Sequence, residues 1–265
     1  LSLIGIKILT PFTARLDSIA YEPSHYAAVI IPAVTYSLFH FKRMPVKAMI
    51  LLLALVLTRA TTSYLILMVV IALANVRWYY FVLTGFLGYL FFKHVLLEFE
   101  DYQYRTEGFI KYFEENTLEG VHGTPMSFLS NLEVAIESIR RYPLFGSGLG
   151  GHETTYYSYY KGQPFSNYYL FGLNAKSAHN LSIRILSETG LVGFGLYIFT
   201  LVRCFIIDRS SYHYVISLAC ISHFLCKSLK LGGYFDYGTP FFLIVLIFNF
   251  WDYRRYKETL KGMTQ

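Results

Sequence analysis

Cysteine and charged residues are both scarce in this chain, and each scarcity narrows what the protein can be. The three cysteines, Cys204, Cys220 and Cys226, all lie within or beside hydrophobic runs. Cysteines in such surroundings behave as small apolar residues, so the sequence predicts no disulfide framework and no redox centre. Charged residues make up 15% of the chain, against 54% hydrophobic residues gathered in long runs. This composition is typical of an integral membrane protein.

Motifs for metals and nucleotides are also missing. The sequence contains no His-Glu-x-x-His, no Asp-x-Asp pair and no glycine loop that ends in Gly-Lys-Ser/Thr. These spacings place ligands around zinc, a nucleotide-sugar metal or a nucleotide phosphate. We therefore expect no metal site and no cofactor. The net charge of +6 arises mostly from short segments between hydrophobic runs, so we also expect no nucleic-acid partner.

The sequence does not open with a charged segment and a cleavage site, so we expect no signal peptide to be removed. Residues 1–9 are mostly apolar and lead into Pro11 and Arg15, which resembles the end of an earlier span. We therefore expect the sequence to be the C-terminal part of a larger bundle with a truncated amino terminus.

The hydrophobic runs that are present predict an all-α integral membrane protein with about seven transmembrane helices. Each run has roughly the length needed to cross a bilayer. The runs cover residues 24–41, 45–58, 61–76, 79–97, 189–207, 213–229 and 240–253. Three domains follow: transmembrane helices in 1–97, a loop domain in 98–183, and C-terminal transmembrane helices with a tail in 184–265.

Basic residues between the runs set the predicted orientation. They all fall on one side, which the positive-inside rule makes cytoplasmic. They are Lys42, Arg43, Lys47, Arg77, Arg203, Arg209, Arg254, Arg255 and Lys257. The large loop is then extracytoplasmic. Within it, residues 131–142 have the pattern of an amphipathic helix, and six tyrosines in 156–169 suit the membrane boundary.

Arg59 is an exception to this charge pattern, because it lies at the predicted outward end of a span. A cation there either snorkels to the interface or faces a partner in a water-filled cavity. Other cations are predicted near outward helix ends or the glycine-rich loop, and together they suggest a basic cavity for a phosphorylated lipid headgroup. They are Lys93, Arg140, Arg141, Arg184, Lys227 and Lys230. The alternative is that each of these cations separately anchors a helix end at the membrane interface.

The segment from Pro143 to Gly193 carries the most informative pattern. It opens with a glycine-rich loop at 146–151, which either exposes backbone amides to an anion or forms a tight turn that ends a helix. The turn is favoured when the motif is taken alone. The segment continues to Ser-Ala-His-Asn and closes with Ser-Glu-Thr-Gly-Leu-Val-Gly as a hydrophobic run begins.

His179 is the predicted general base, because imidazole titrates near neutral pH and the residue lies close to a predicted membrane surface. Asn180 follows it, and Glu188 is positioned to orient or charge-stabilise it. His152 is the competing candidate, and His122 and His25 are weaker ones.

Glu22 and Asp236 are two acidic residues in predicted outward segments. For Glu22, capping of the first helix is the simpler interpretation, since Pro23 follows it. Either carboxylate could instead accept hydrogen bonds from sugar hydroxyls.

Three pieces in order resemble one family. They are Glu-Pro-Ser-His-Tyr-Ala at 22–27, Leu-Thr-Arg-Ala-Thr-Thr-Ser at 57–63, and the Pro-Leu-Phe-Gly-Ser-Gly-Leu-Gly to Ala-His-Asn to Glu-Thr-Gly-Leu-Val-Gly series at 143–193. Together they look like the O-antigen polymerase and O-antigen ligase superfamily of bacterial envelope glycan enzymes. The resemblance covers nearly the whole chain, and the third piece is the specific one.

The resemblance implies a multi-pass enzyme of the bacterial inner membrane with its active site facing the periplasm. Its donor and acceptor would be glycans on undecaprenyl pyrophosphate, and its partners would include membrane lipids and a chain-length regulator. His179 would be the catalytic residue, and Arg59, Arg140, Arg141, Glu22, Asn180 and Glu188 would bind substrate. Family members often carry an arginine where this chain has Met126, Ser127 and Ser130, so Arg140 or Arg105 would have to replace it.

The resulting prediction is a metal-independent glycosyltransferase that polymerises lipid-linked repeat units. The alternative within the family is a ligase that transfers polymer to lipid A core. A transporter for the same lipid-linked sugar belongs to a different class, and it would place cations in the middle of the spans. A structural membrane subunit would leave Arg59 and the outward lysines unexplained.

Overall fold

The computed structural model describes residues 2–3, 6–7, 23–58, 60–74, 85–86, 89–90, 93, 100–121, 123–236 and 238–263. Within these residues the protein is helical, apart from a two-residue antiparallel ladder. The elements are β1 (Ser2–Leu3), β2 (Ile6–Lys7), α1 (Pro23–Phe39), α2 (Pro45–Leu57), α3 (Thr61–Ala74), α4 (Glu100–Glu115), α5 (Gly123–Arg141), α6 (Gly151–Tyr159), a 3-10 helix (Pro164–Asn167), α7 (Leu181–Cys204), α8 (Tyr212–Leu229) and α9 (Thr239–Met263).

The predicted hydrophobic runs coincide with helices wherever the structure describes them. Six of the seven runs correspond to α1, α2, α3, α7, α8 and α9. The remaining run, 79–97, lies mostly outside the described residues. By length and composition, Leu181–Cys204 is the one described helix that could cross a membrane, and α2 and α3 are shorter apolar helices. The number of spans therefore stays a prediction.

Two helices begin earlier than the apolar pattern indicates. Helix α5 begins at Gly123 instead of near Asn131, and α7 begins at Leu181 instead of near residue 189. Polar side chains in these first turns, such as Arg184 and Glu188, interrupt the apolar pattern without ending the helix. A pattern based on hydrophobicity alone therefore recognises only the second part of each helix.

The chain divides into two compact units. Unit 1 consists of residues 1–76, 199–227 and 234–265, and unit 2 consists of residues 77–198 and 228–233. In unit 1, α1 packs against α2 and α3, and Ala27, Val34 and Leu55 lie in the buried cluster between them.

Unit 2 has an aromatic core. Tyr156 of α6 and Tyr160, which follows that helix, are buried against Phe165 and Phe171, and Met126 and Leu129 of α5 complete the cluster. A carboxylate lies among these rings, since Glu133 accepts hydrogen bonds from Tyr160 at 2.7 Å and Tyr112 at 2.6 Å. Burial and this carboxylate raise the pKa of both phenols, so they stay neutral donors. The tyrosines predicted to favour the membrane boundary thus also build a core.

Candidate functional site

His179 lies in unit 2 immediately before α7, and its side chain is 5% exposed. Its ring Nδ1 is 3.0 Å from the hydroxyl oxygen of Ser127, in the second turn of α5. The ring of Phe128 contacts the imidazole edge to face, with ring centres 5.6 Å apart. Among the described residues, the bond to Ser127 uses Nδ1 of the ring. Nε2 is therefore the ring nitrogen that could bind a reacting group.

Ser127 connects His179 to a small polar network. Asn174 donates from Nδ2 to the Ser127 hydroxyl oxygen at 2.8 Å, and that hydroxyl lies 3.3 Å from the carbonyl oxygen of Leu173. A hydroxyl has one proton to donate. If the proton goes to Leu173, Nδ1–H of His179 donates to Ser127 and Nε2 carries a lone pair. If the proton goes to Nδ1, Nε2 carries the hydrogen.

Burial and charge keep the His179 ring neutral. Desolvation lowers its pKa to about 4, and the positive charge of Lys230 acts in the same direction. Because this value is below the usual pKa of about 6.5 for histidine, the imidazole is uncharged at neutral pH. A neutral ring can accept a proton, as a general base must.

The backbone at His179 is unusual. Ala178 and His179 both have positive φ angles, of 54° and 61°. Non-glycine residues seldom adopt this region, and such conformations are concentrated at functional sites. The carbonyl of His179 accepts a hydrogen bond from the backbone N–H of Leu231 at 2.9 Å, which ties the residue to a second segment of unit 2.

Asn180 is the N-cap of α7. Its side-chain oxygen accepts a hydrogen bond from the backbone N–H of Ile183 at 2.8 Å, three residues along the helix. The cap fixes where the helix begins and therefore where His179 stands.

Glu188 pairs with Arg184 of the same helix. The Nε of Arg184 is 3.1 Å from Oε1 of Glu188, whose side chain is 1% exposed. Arg184 also donates to the carbonyl of Gly232 at 3.2 Å. Among the described residues, His179 is therefore hydrogen-bonded to Ser127. The carboxylate of Glu188 pairs with Arg184.

The glycine-rich loop is bonded to a break in α7. Gly190 has φ 64° and ψ −163°, which is not helical. Backbone N–H groups of Ser147 and Gly148 donate to the carbonyls of Ser187 and Glu188, both at 2.9 Å. In return, Leu191 and Val192 donate to the carbonyls of Pro143 and Leu144, at 2.9 and 3.1 Å. The loop therefore satisfies the backbone groups that the break leaves without helical partners.

This contact is so close that it requires glycine on both sides. A Cβ on Gly146 would lie 2.6 Å from backbone atoms of the α7 break, and one on Gly190 would lie 2.5 Å from the carbonyl oxygen of Leu144. The amides of Ser147 and Gly148 are occupied by these bonds, so they do not face a phosphate. The structure thus favours a tight turn, and not an anion-binding loop, as the role of the glycine motif.

His152 lies beside this break and is completely buried. Its Nε2 is 2.9 Å from Oδ1 of Asn131, and its Nδ1 is 2.8 Å from the hydroxyl of Ser187. The Asn131 amide nitrogen donates to the carbonyl of Ser127 at 2.6 Å, so its oxygen must accept from Nε2–H. With both ring nitrogens engaged, His152 holds α5, α6 and α7 together and offers no atom to a substrate.

Arg140 and Arg141 lie in the last turn of α5. Both pair with Glu137, at 3.9 and 2.7 Å, and their side chains are 75% and 53% exposed. Arg140 is thirteen residues beyond Ser127, which corresponds to about 20 Å along the helix axis. The structure does not bring this pair to the imidazole.

The remaining predicted residues fall elsewhere. Arg59, Glu22 and His122 lie outside the described residues, so their predicted roles are not tested. In unit 1, the buried ammonium of Lys227 binds the carboxylate of Asp236. The structure thus brings together two groups that the sequence analysis had considered separately. No group of three or more His, Cys, Asp or Glu residues able to hold a metal is found among the described residues.

The apolar helices, of which α7 is long and apolar enough to cross a membrane, are consistent with a helical membrane protein. A family model described as O-antigen ligase matches residues 46–198, more than half of the chain. The chain belongs to this family, as the sequence resemblance predicted. No curated protein and no solved structure matches it significantly.

Membership in the family defines the general activity. The protein is a membrane enzyme related to glycosyl transfer, and it acts in polysaccharide or lipopolysaccharide biosynthesis. Lipid-linked polysaccharides are its substrates. The matched residues include the glycine-rich loop, His179 and the first part of α7.

The sequence singles out His179 as a candidate base but does not single out Ser127, which contacts it. The one signal for Ser127 was its position in the stretch 126–130, where the resemblance predicts an arginine that this chain lacks. Nothing in the local pattern indicates that a serine there contacts a histidine 52 residues away.

Proposed function

We propose that the protein polymerises lipid-linked polysaccharide repeat units on the periplasmic face of the bacterial inner membrane. The donor is a glycan carried on undecaprenyl pyrophosphate, and the acceptor is the outer sugar of a second lipid-linked repeat. The observation that carries this proposal is His179, held at the start of α7 by Ser127 with Nε2 unengaged among the described residues. Family membership supports the substrate class.

In the proposed reaction, Nε2 of His179 removes the proton of the acceptor hydroxyl. The acceptor oxygen forms a bond to the anomeric carbon of the donor as the bond from that carbon to the phosphate oxygen breaks. Undecaprenyl pyrophosphate leaves with the bonding electron pair, and the proton stays on the imidazole. A single displacement of this kind inverts the anomeric carbon.

Ser127 acts as a positioning residue in this mechanism. Its hydroxyl donates to the carbonyl of Leu173, so the His179 Nδ1–H donates to Ser127 and Nε2 is the basic atom. The hydrogen bond also fixes the plane of the ring. A base held in place in this way needs no reorientation before it accepts a proton.

The lowered pKa of His179 makes substrate binding part of the activation. A base with a pKa of about 4 accepts protons weakly. A diphosphate bound nearby adds negative charge, which raises the pKa of the imidazole toward neutrality. The base thus becomes effective when the donor is present.

The remaining predicted substrate contacts form part of the same proposal. Arg59 neutralises the diphosphate, and Glu22 accepts hydrogen bonds from sugar hydroxyls. Asn180 contributes through its amide Nδ2, because its oxygen caps α7. Glu188 holds Arg184 in place for an anionic group. Arg140 and Arg141 contact the glycan away from His179, at the exposed end of α5.

A purified protein tests the activity directly. The parent protein in detergent, supplied with a lipid-linked repeat unit and no added metal, is expected to release undecaprenyl pyrophosphate and form longer glycan. Glycan analysis of the product reports the anomeric configuration. Absence of any glycan product from folded protein would contradict the proposal and favour a transporter or structural subunit.

A ligase is the second candidate, since the family model is described as O-antigen ligase. Both activities use the same donor site and differ in the acceptor. Cells that lack the gene separate them. Chains of a single repeat unit indicate a lost polymerase, whereas long polymer that is not joined to lipid A core indicates a lost ligase.

A further inference from the structure

Unit 1 contains a cavity of about 530 Å³ between the start of α8 and the middle of α9. Its lining changes in character along α9. Ile244, Val245 and Phe248 contribute apolar surface, and Asp252 and Arg255, further along the helix, contribute charge. From Ile244 to Arg255 the helix rises by about 16 Å. One end of the cavity therefore suits hydrocarbon and the other suits a polar group.

His213 supplies an unsatisfied polar atom to this cavity. The ring is 1% exposed, and its Nδ1 is 2.9 Å from Oδ1 of Asn249. The amide nitrogen of Asn249 donates to the His213 carbonyl at 2.9 Å and to Ser217 at 3.0 Å, so its oxygen must accept from Nδ1–H. Nε2 then carries a lone pair, and it has no hydrogen-bond partner among the described residues.

A carboxylate lies next to this lone pair. Oδ2 of Asp252 is 3.9 Å from Nε2 of His213, and the Tyr212 hydroxyl donates to the same oxygen at 3.3 Å. Nε2 and Oδ2 therefore face one position, and Nε2 has no hydrogen-bond partner there among the described residues. A ligand with several N–H donors and a positive charge would satisfy both.

The cavity also offers a cation and aromatic rings. Arg255 lines it three residues beyond Asp252, and Trp251 and Tyr212 line it as well. A guanidinium binds phosphate oxygens through paired hydrogen bonds. Tryptophan and tyrosine favour the boundary between hydrocarbon and water. The cavity therefore combines an ammonium position, a phosphate position and an apolar section.

We propose that this cavity binds a phospholipid whose headgroup carries a primary ammonium, of the phosphatidylethanolamine type. The ammonium donates to Nε2 of His213 and to Asp252, the phosphate binds Arg255, and an acyl chain lies along Ile244 and Phe248. A choline headgroup has no N–H to donate, and a glycerol headgroup has no positive charge for Asp252. The residues that line the cavity are not used in the proposed reaction, so the proposal does not depend on that reaction.

The test uses the fluorescence of Trp251, which lines the site. The chain has two tryptophans, so Trp78→Phe leaves Trp251 as the one emitter. The full chain in detergent is titrated with phospholipids that have the same brominated acyl chains and ethanolamine, choline or glycerol headgroups. The ethanolamine lipid is expected to quench at about tenfold lower concentration than the other two, because it forms charge-assisted hydrogen bonds that they lack.

Variants assign the two charged positions. Asp252→Asn is expected to abolish the preference for ethanolamine over choline, and Arg255→Gln to weaken quenching by all three lipids. Arg254→Gln is the matched control, because Arg254 contacts Phe250 and does not line the cavity. Asp252 is 68% exposed, so its replacement is not expected to unfold the protein.

Three outcomes would overturn the proposal. Equal quenching by the three headgroups in the parent protein would mean that the cavity takes lipid without selecting it. Loss of quenching as protein concentration rises, together with a dimer in mass measurements, would mean that a second copy covers the cavity. Quenching selective for ethanolamine in both the parent and Asp252→Asn would contradict the assigned contacts.

Discussion

His152 and His179 lie in two regions of unit 2 that look alike by burial and charge. Both rings are buried, and desolvation lowers the pKa of each to about 4. They differ in hydrogen bonding. His152 uses both ring nitrogens to connect Asn131 and Ser187, whereas the structure engages only Nδ1 of His179 among the described residues. The lowered pKa therefore does not distinguish His152 from His179, the proposed base, and the engagement of the ring nitrogens does.

The backbone supports the same distinction. Around His152, the glycine-rich loop and the break in α7 exchange backbone hydrogen bonds, and Gly190 supplies the conformation that the break requires. At His179, two non-glycine residues adopt positive φ angles and are held there by their surroundings. Glycine therefore relieves the backbone strain near His152, whereas the backbone strain at Ala178 and His179 is retained. Retained strain is more typical of a functional site.

The largest effect is expected when the two histidines are replaced in turn. In His179→Gln, loss of the base should reduce the rate of glycan formation about a thousandfold. In His152→Gln, the amide can still pair with Ser187 and Asn131, so the folded protein should keep most of its activity. The rate of glycan formation is compared per amount of folded protein, and size-exclusion chromatography measures that amount. Equal losses in the two variants would remove the distinction.

The next effect concerns the stability of the α7 break. Gly190→Ala places a Cβ in a backbone region open to glycine alone and against the Leu144 carbonyl, so it should lower the free energy of unfolding by about 3 kcal/mol. Gly195→Ala in the same helix is the control, since a Cβ there meets nothing within 4 Å. Melting temperatures in detergent report both. An unchanged melting temperature in Gly190→Ala would show that the loop and helix do not hold each other.

A smaller effect is expected at Ser127. Ser127→Ala removes the hydrogen bond that orients His179, which should lower kcat about tenfold with little change in KM. Ser127→Thr keeps the hydroxyl and should recover most of the rate. Ser130→Ala is the matched control, because Ser130 is a buried serine of the same helix that does not contact His179. A drop of the same size in Ser130→Ala would reduce Ser127 to a packing role.

The comparison of the two histidines also predicts a dependence of stability on pH. For both histidines the folded pKa of about 4 is below the unfolded value of about 6.5, so the unfolded chain binds more protons between these values. Stability is therefore present above pH 6.5 and is lost as pH falls toward 4, by up to about 3 kcal/mol for each ring.

Melting temperatures from pH 7 to pH 5 measure this loss. His152→Gln should show a shallower decline than the parent, because it has one buried imidazole fewer to protonate. The acid limb of kcat/KM should lie below the usual histidine value, and the acid limb of kcat should lie at a higher pH because bound diphosphate raises the pKa. If the acid limbs of kcat/KM and kcat lie at the same pH, the proposed activation by the substrate is contradicted.

The sequence predicted the helices of the apolar runs well, because hydrophobic length is a local property. The starts of α5 and α7 were harder to predict. In α7, Arg184 and Glu188 place charged residues within the helix, and the Asn180 cap and a tertiary contact stabilise its first turns. His179 could be proposed as the base from the sequence because it lies in the series that carries the family resemblance. Ser127 and the role of the glycine loop could not, because each depends on a partner about 40 to 50 residues away.

The break in α7 has a consequence for how the protein is made. Backbone groups without partners are strongly disfavoured in hydrocarbon. Residues 143–151 emerge from the ribosome before α7 does, so the segment that completes this helix is already available when the helix leaves the translocon. We therefore expect the loop to bond to the α7 break as soon as the helix forms, so that the order of synthesis itself protects the broken helix during biogenesis.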